Sequence, residues 1–237
     1  MRLPVAYAPA SIWGLERHVM CGRYATGQVS WEQYRLFLNL VETAVALDVP
    51  PHWNIAPTVP APIALDAGQG RMLALARWGI WQPWMEGKTL STFNARAEGL
   101  SESRLFSPLL TTGRCLVPAQ GFYEWTGPKG ARMPHFIHHP GGEMMVFAGL
   151  WARAMKEDED VLSFTLITIS ANDQMQDIHH RMPVILTPGS QEQWMAPGAA
   201  PLDLLKPFDG HLDIYPVDPL RGNSPDNLKP RAQAGLF

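Results

Sequence analysis

The sequence predicts an α+β fold: a single β-rich domain, its strands forming a curved sheet or an open barrel-like core, with a few peripheral helices. Three observations lead there. Hydrophobic residues make up 46% of the 237 positions and charged residues 17%, enough apolar material for a packed core and too little charge for a disordered chain. One amphipathic helical pattern stands near the start. After Pro50 and Pro51 the texture changes to short apolar runs punctuated by Gly and Pro, which reads as strands joined by turns.

The elements follow in chain order. Ser30 and Gln33 have the S-x-x-Q form of a capping box. Behind them Tyr34, Phe37, Leu38, Val41 and Ala44 recur at helical spacing, which predicts a helix over Trp31 to Leu47. Strands are predicted over Ala61 to Leu65, Met72 to Trp78, Cys115 to Pro118, His135 to His138, Met144 to Leu150, Leu162 to Ser170 and Val184 to Leu186. Asp66-Ala67-Gly68-Gln69-Gly70 and Gly127-Pro128-Lys129-Gly130 have hairpin-turn chemistry. Glu102 to Leu110, Asp173 to Ile178 and Gln191 to Trp194 are candidate short helices. The tail after Pro219 is rich in Pro, Gly and Asn and should run irregularly over the surface. No internal repeat or low-complexity linker divides the chain.

Composition bounds the function. A net charge of -3 and a pI near 6.2 exclude a strongly basic nucleic-acid binder, so any DNA contact must come from a local Arg/Lys cluster. The two cysteines, Cys21 and Cys115, are too few for a disulfide framework and lack C-x-x-C spacing, as in a reduced, cytoplasmic protein. No apolar run reaches membrane-spanning length. A monomer is the default expectation. In Met1 to Met20, Arg2 precedes an apolar stretch broken by Pro4 and Pro9, a poor signal peptide. Met20 lies directly before Cys21, so residues 1–20 read as a removable leader or a mis-assigned start, and 21–237 as the domain.

Four segments place reactive side chains among apolar anchors: Met20-Cys21-Gly22-Arg23-Tyr24, Phe93-Asn94-Ala95-Arg96-Ala97-Glu98, Gly121-Phe122-Tyr123-Glu124-Trp125, and Asp177-Ile178-His179-His180-Arg181-Met182-Pro183. In this order and spacing, they resemble the motifs of the SRAP family (SOS-response-associated peptidase), also described as abasic-site processing proteins. Asn54-Ile55-Ala56-Pro57, Arg77-Trp78-Gly79 and Arg221-Gly222-Asn223-Ser224-Pro225 fit the family too, so the resemblance runs from Met20 nearly to the C-terminus.

The resemblance implies a cysteine exposed as the first residue, bonded to the aldehyde of an abasic site in single-stranded DNA as a stable thiazolidine. It implies a lesion shielded during the DNA damage response, with the replication machinery as a further partner. It places the nucleophile at Cys21 and the other catalytic residues at Asn94, Glu124 and His179. Arg23 and Arg96 become DNA-backbone contacts, and Asn54 and Pro57 line the DNA path. It also implies self-removal of the residues before Cys21, a cysteine-peptidase step, with lyase-type chemistry at the lesion. The location would be cytoplasmic, nucleoid-associated when bound to DNA.

Elementary chemistry agrees with that assignment. A thiazolidine needs an amine and a thiol on adjacent carbons, which only an N-terminal cysteine offers. Its α-amine, with a reference pKa of about 7.7–8.0, has a useful neutral fraction near neutrality. A carboxylate and an imidazole are suitable proton shuttles, and Glu124 between Tyr123 and Trp125 should be desolvated, with a raised pKa.

Blander readings stand beside these. Cys115 lies in an apolar run and reads as packing. Arg181 would pair with a carboxylate, and His180 would face solvent. Lys129 and Arg132, at a hairpin tip, would be solvated. The pairs His138-His139 and His179-His180 match no metal-ligand spacing, so no metal and no cofactor is expected. Trp78, Trp81 and Trp84 cluster around Pro83. They serve as core or as a base-stacking surface, with Trp78 the candidate DNA contact.

Overall fold

The computed structural model describes residues 21–88 and 92–232, so the expectation for Met1 to Met20 lies outside the described residues. The strands are β1 (Arg23–Ala25), β2 (Pro60–Asp66), β3 (Arg71–Trp78), β4 (Asn94–Arg96), β5 (Arg114–Ala119), β6 (Gly121–Thr126), β7 (Met133–His138), β8 (Met145–Lys156), β9 (Glu159–Ser170), β10 (Arg181–Pro183) and β11 (Asp213–Pro216). The helices are α1 (Trp31–Phe37), α2 (Leu109–Thr112) and α3 (Pro188–Met195). No helix among the described residues is long and apolar enough to cross a membrane.

The core is a closed barrel. The strands pair in the order β9, β3, β2, β5, β8, and β8 returns to pair with β9. Closure comes from the 12-residue strands β8 and β9. Their antiparallel ladder runs from Lys156↔Glu159 to Gly149↔Leu166, while β9 also pairs in parallel with β3 at Ser163 and Phe164. The sequence left the barrel open because nothing local in β9 announces a second partner.

The apolar runs are continuous because these strands are buried on both faces. Along β5, Cys115 and Val117 pack inside with Tyr24, Ile63 and Phe147, while Leu116 faces a second cluster with Tyr34, Leu38 and Trp194. Cys115 is thus a packing residue, as expected.

The smaller sheet runs β1–β6–β7–β11, and only Gln120 separates β5 from β6. Period-two alternation sends Phe122 into the barrel core and Tyr123 into a separate cluster with Ala25 and Phe136. Glu124 therefore returns to the barrel side.

Several local expectations are corrected. The capping box forms reciprocally, with Ser30 N–H donating to Gln33 Oε1 at 2.8 Å and Gln33 N–H donating to Ser30 Oγ at 3.2 Å. The helix nevertheless ends at Phe37 instead of Leu47. Asn39 turns left-handed (φ 50°), and Val41 N–H then donates to Arg71 O at 3.0 Å, drawing the chain onto the start of β3. Val184 to Leu186 is no strand. Val184 N–H donates to Ile167 O of β9, while Ile185 makes only an isolated bridge with Phe147 of β8 and Leu186 N–H donates to Val146 O, so the run crosses from one ladder to the other. Strand β10 lies just before it. Residues 102–108 form turns, because Pro108 lacks the N–H a helix needs there, and only Leu109–Thr112 is helical. Asp173 to Ile178 is a succession of turns bonded to Asn172 O and Met175 O.

Trp78 is the main correction. It is fully buried (0% exposed), edge-on to Tyr24 at 5.0 Å, with its indole N–H donating to Phe93 O at 2.8 Å. It cannot stack on a base in this fold. Its place is core, because β3 turns its last side chain into the barrel. Trp78→Ala is expected to cost about 3–5 kcal/mol in urea unfolding, the range for a buried aromatic cut to a methyl.

Arg114, at the start of β5, holds the helices to the barrel. Its guanidinium donates to Trp194 O at 2.6 Å and Gly198 O at 3.1 Å, and closely to Leu110 O and Ala196 O. These carbonyls close α2 and α3. Arg114→Leu strands them and is expected to cost about 3 kcal/mol in the same measurement, since charged donors to buried acceptors contribute about 1.5–3 kcal/mol each.

Candidate active site

Cys21 reaches its neighbours through strand pairing. Strand β1 is antiparallel to β6 with Arg23 opposite Tyr123, so two residues back along β1 lead to Glu124 and Trp125. There the backbone of Cys21 is left-handed (φ 38°), an uncommon conformation for a side chain with a Cβ. The Cys21 nitrogen donates to Glu124 Oε1 at 2.5 Å. Both residues are buried, Cys21 1% and Glu124 2% exposed.

The other two expected residues converge on this pair. Asn94, the first residue of β4, donates from Nδ2 to Cys21 O at 3.5 Å. His179 Nδ1 lies 3.9 Å from Glu124 Oε1 and accepts from Arg181 N–H at 3.1 Å. Accepting there puts the proton of a neutral ring on Nε2. The Cys21 thiol donates to Arg181 O at 4.0 Å. Cys21, Asn94, Glu124 and His179 come from four separate stretches of chain and meet at one point.

Burial sets their electrostatics. The Glu124 carboxyl is pushed up to about 7, chiefly by loss of water and opposed by its hydrogen bonds with Cys21. The Cys21 thiol is raised well above its ordinary range, by burial first and by Glu124 second. A carboxyl near 7 both gives and takes protons at neutral pH. A thiol so raised stays protonated and is a poor initial nucleophile.

A cavity of about 530 Å³ opens beside Glu124 and His179. Trp125 and Arg132 of the β6–β7 hairpin line it together with Ile178 and His180. Arg132 is exposed but is no distant surface charge, since its field lowers the Glu124 carboxyl. Arg132 is solvated, as expected, and it also lines this cavity, a placement visible only once the hairpin is folded. His180 is exposed, as expected.

The remaining candidates divide. Arg23 donates to Asn54 Oδ1 at 2.7 Å, and Asn54 Nδ2 donates to Gly222 O at 2.9 Å. Asn223 donates to Pro51 O and accepts from Trp53 N–H, so the tail motif braces residues 51–54. Pro57 is half-buried before the left-handed Thr58, and Arg96 is exposed at the end of β4. Trp78 is absent from this surface. Glu98 and Thr168 were not anticipated as site residues. Arg181 donates to both Glu98 carboxylate oxygens at 2.5 and 2.8 Å, and to Thr168 O at 2.7 Å. The carboxylate partner expected for Arg181 is thus Glu98. Among the described residues no three His, Cys, Asp or Glu side chains are grouped to hold a metal ion.

Known proteins resemble this chain over most of its length. The family described as SOS response associated peptidase (SRAP) matches residues 20–224. "Abasic site processing protein YoqW" of Bacillus subtilis (strain 168) is 34% identical over 221 residues, covering 89% of this chain and 97% of that protein. "Abasic site processing protein YedK" of Escherichia coli (strain K12) is 28% identical over 178 residues, 74% of this chain and 79% of that one. A crystal structure of a protein from Bacteroides thetaiotaomicron superposes with a TM-score of 0.77 at 22% identity, covering 90% of this chain and all of that chain, which bears on the fold alone.

Proposed function

The chain belongs to the SOS response associated peptidase (SRAP) family, and from that premise we propose that it processes abasic sites in single-stranded DNA by forming a thiazolidine through Cys21. The observation that carries this reading is the 2.5 Å contact between the Cys21 nitrogen and Glu124 Oε1. With Cys21 as first residue, that nitrogen is the α-amine.

The order of events follows from the two pKa shifts. The thiol is held protonated, so the amine acts first. Its lone pair attacks C1′ of the ring-opened deoxyribose aldehyde, and Glu124 gives the carbinolamine hydroxyl the proton with which it leaves as water. Water leaves an iminium, and Glu124, now a carboxylate, takes the Sγ proton of Cys21. Sulfur bonds to C1′, the C=N π electrons return to nitrogen, which keeps its one proton, and a five-membered ring closes. The closure is intramolecular, so little further entropy is lost. His179, its Nδ1 held by Arg181 N–H, would offer its Nε2 proton at the sugar hydroxyl, and Asn94 steadies the Cys21 carbonyl. Before β-elimination can occur, sulfur competes for the same imine carbon, which limits lyase chemistry. Arg23, Asn54, Pro57 and Arg96 would guide the strand to the site.

Residues before Cys21 must first be removed, because an amide nitrogen cannot form an imine. Self-cleavage uses the same contact: water adds to the carbonyl carbon of residue 20, and Glu124 gives the Cys21 nitrogen a proton as the peptide bond breaks and regains one from the water, leaving a carboxylic acid and the free α-amine. Hydrolysis of external peptides is disfavoured, since it needs a thiolate and this thiol is raised.

The deciding test is a denaturing gel. A chain beginning at Cys21 is mixed with single-stranded DNA carrying one abasic site, and separately with undamaged DNA. A lesion-dependent band that survives denaturation is expected. No such band, with Cys21 verified as first residue by mass, would refute the reading.

A further inference from the structure

We propose that the Glu98–Arg181 ion pair is a strut that sets the spacing between the strand carrying Asn94 and the segment carrying His179, so that Glu98 is a positioning residue for the reaction at Cys21. The inference rests on the abasic-site reading above.

The topology leads to it. Strand β4 pairs with β9 in parallel, Arg96 opposite Thr168. Strand β10 pairs with β9 antiparallel, Pro183 opposite the same Thr168. One residue has one neighbour on each edge, so β4 and β10 flank β9 from opposite sides. Asn94 is the first residue of β4, and Glu98 follows its last by two positions. Arg181 is the first residue of β10, two beyond His179. Both flanking strands are only three residues long, so backbone pairing alone holds them weakly.

The ion pair crosses that gap. Arg181 donates to both oxygens of Glu98, and Nη2 also donates to Thr168 O of the strand between. The Arg181 side chain is thereby fixed at both ends, and its main chain touches two reacting groups. Its N–H donates to His179 Nδ1 at 3.1 Å, and its carbonyl accepts from the Cys21 thiol at 4.0 Å. A shift of Arg181 therefore moves the imidazole and frees the sulfur together. Glu98 reaches neither group itself. It is half-exposed, so its replacement leaves the core intact.

The test uses the chain beginning at Cys21 with Glu98→Ala, Glu98→Gln and Glu98→Asp. Three quantities are measured: affinity for single-stranded DNA carrying a tetrahydrofuran abasic analogue, which cannot crosslink; the single-turnover crosslinking rate; and labelling of Cys21 by 2-cyanobenzothiazole, which reads the aminothiol without DNA. Glu98→Ala is expected to bind within about twofold of wild type yet crosslink roughly tenfold more slowly, because small misplacements of reacting groups are costly in rate. Glu98→Asp should recover part of the rate, and Glu98→Gln should fall between. Crosslinking at the wild-type rate in Glu98→Ala would overturn the strut. So would a rate loss matched by lost affinity. If wild type itself forms no crosslink, the parent reading fails, and labelling still decides: an altered Cys21 rate in Glu98→Ala supports the strut, and an unchanged one overturns it.

Discussion

Replacing Cys21 by Ser, in a chain that begins at residue 21, is expected to remove the denaturation-resistant band completely while leaving a product trapped by borohydride. The two results separate the two bonds of the mechanism. Serine keeps the α-amine and its contact with Glu124, so the imine still forms. Its hydroxyl is a far weaker nucleophile than sulfur, and the oxygen ring it would close reopens readily. The imine therefore hydrolyses on denaturation unless reduced first. Cys21→Ala should behave in the same way. Extending the chain by a single alanine before Cys21 should abolish the denaturation-resistant band, because the Cys21 nitrogen becomes an amide and no free amine stands beside the thiol, while the alanine amine can still give a product trapped by borohydride. If Cys21→Ser still gives the stable band, sulfur is not the capturing atom and the thiazolidine is wrong. If borohydride traps nothing, the amine does not act first.

How much of this was legible in the sequence depends on how local each feature is. The capping box, the two hairpin turns and the doubly buried strands are local, and the residues announce them. That Cys21, Asn94, Glu124 and His179 belong to one set was legible through the family resemblance, because motif order is a sequence property, and the structure brings the four together. Barrel closure was not, since the second edge of β9 is filled by β3 from about 90 residues earlier, a pairing no window contains. The end of α1 was misjudged because Val41 and Ala44 keep helical spacing while Asn39 leaves the helix. Trp78 was misplaced for the same kind of reason. Three tryptophans around a proline look like a surface, but strand alternation sends one of them inward. Glu98 was within a quoted motif and still went unremarked, because its partner Arg181 lies 83 residues away.

Glu124→Gln is expected to slow crosslinking by about 100- to 10,000-fold, the usual range for loss of a general acid or base. In the chain beginning at Cys21 the neighbouring ammonium draws the carboxyl down from about 7, so the wild-type rate should bend below that value, and the variant should lose the bend. Stability should move the other way. The folded pKa of about 7 exceeds the ordinary 4.5, so between these values the native state holds more protons than the unfolded one. Stability therefore falls as pH rises through that window, and the full cost of ionising a buried carboxylate remains above it, on the order of 3 kcal/mol. Glu124→Gln removes the titration, so it should match wild type near pH 5 and unfold at a higher temperature at pH 8. The gap depends on what stands beside Glu124. With residues before Cys21 attached, the neighbour is a neutral amide, whose hydrogen bond relieves only part of the cost. Once Cys21 is first, an ammonium lies 2.5 Å away and stabilises the carboxylate. Processing thus converts a strained acid into half of an ion pair, and the pH 8 gap should be larger in the longer chain. Thermal unfolding of both lengths, wild type and Glu124→Gln, at pH 5 and pH 8 measures all of it. Equal pH slopes for wild type and variant in the longer chain would mean that Glu124 does not titrate near 7 there. In the chain beginning at Cys21 the pair holds one proton, which Glu124 takes from the ammonium as the amine attacks and gives to the leaving hydroxyl, and Glu124→Gln crosslinking at the wild-type rate would end that role.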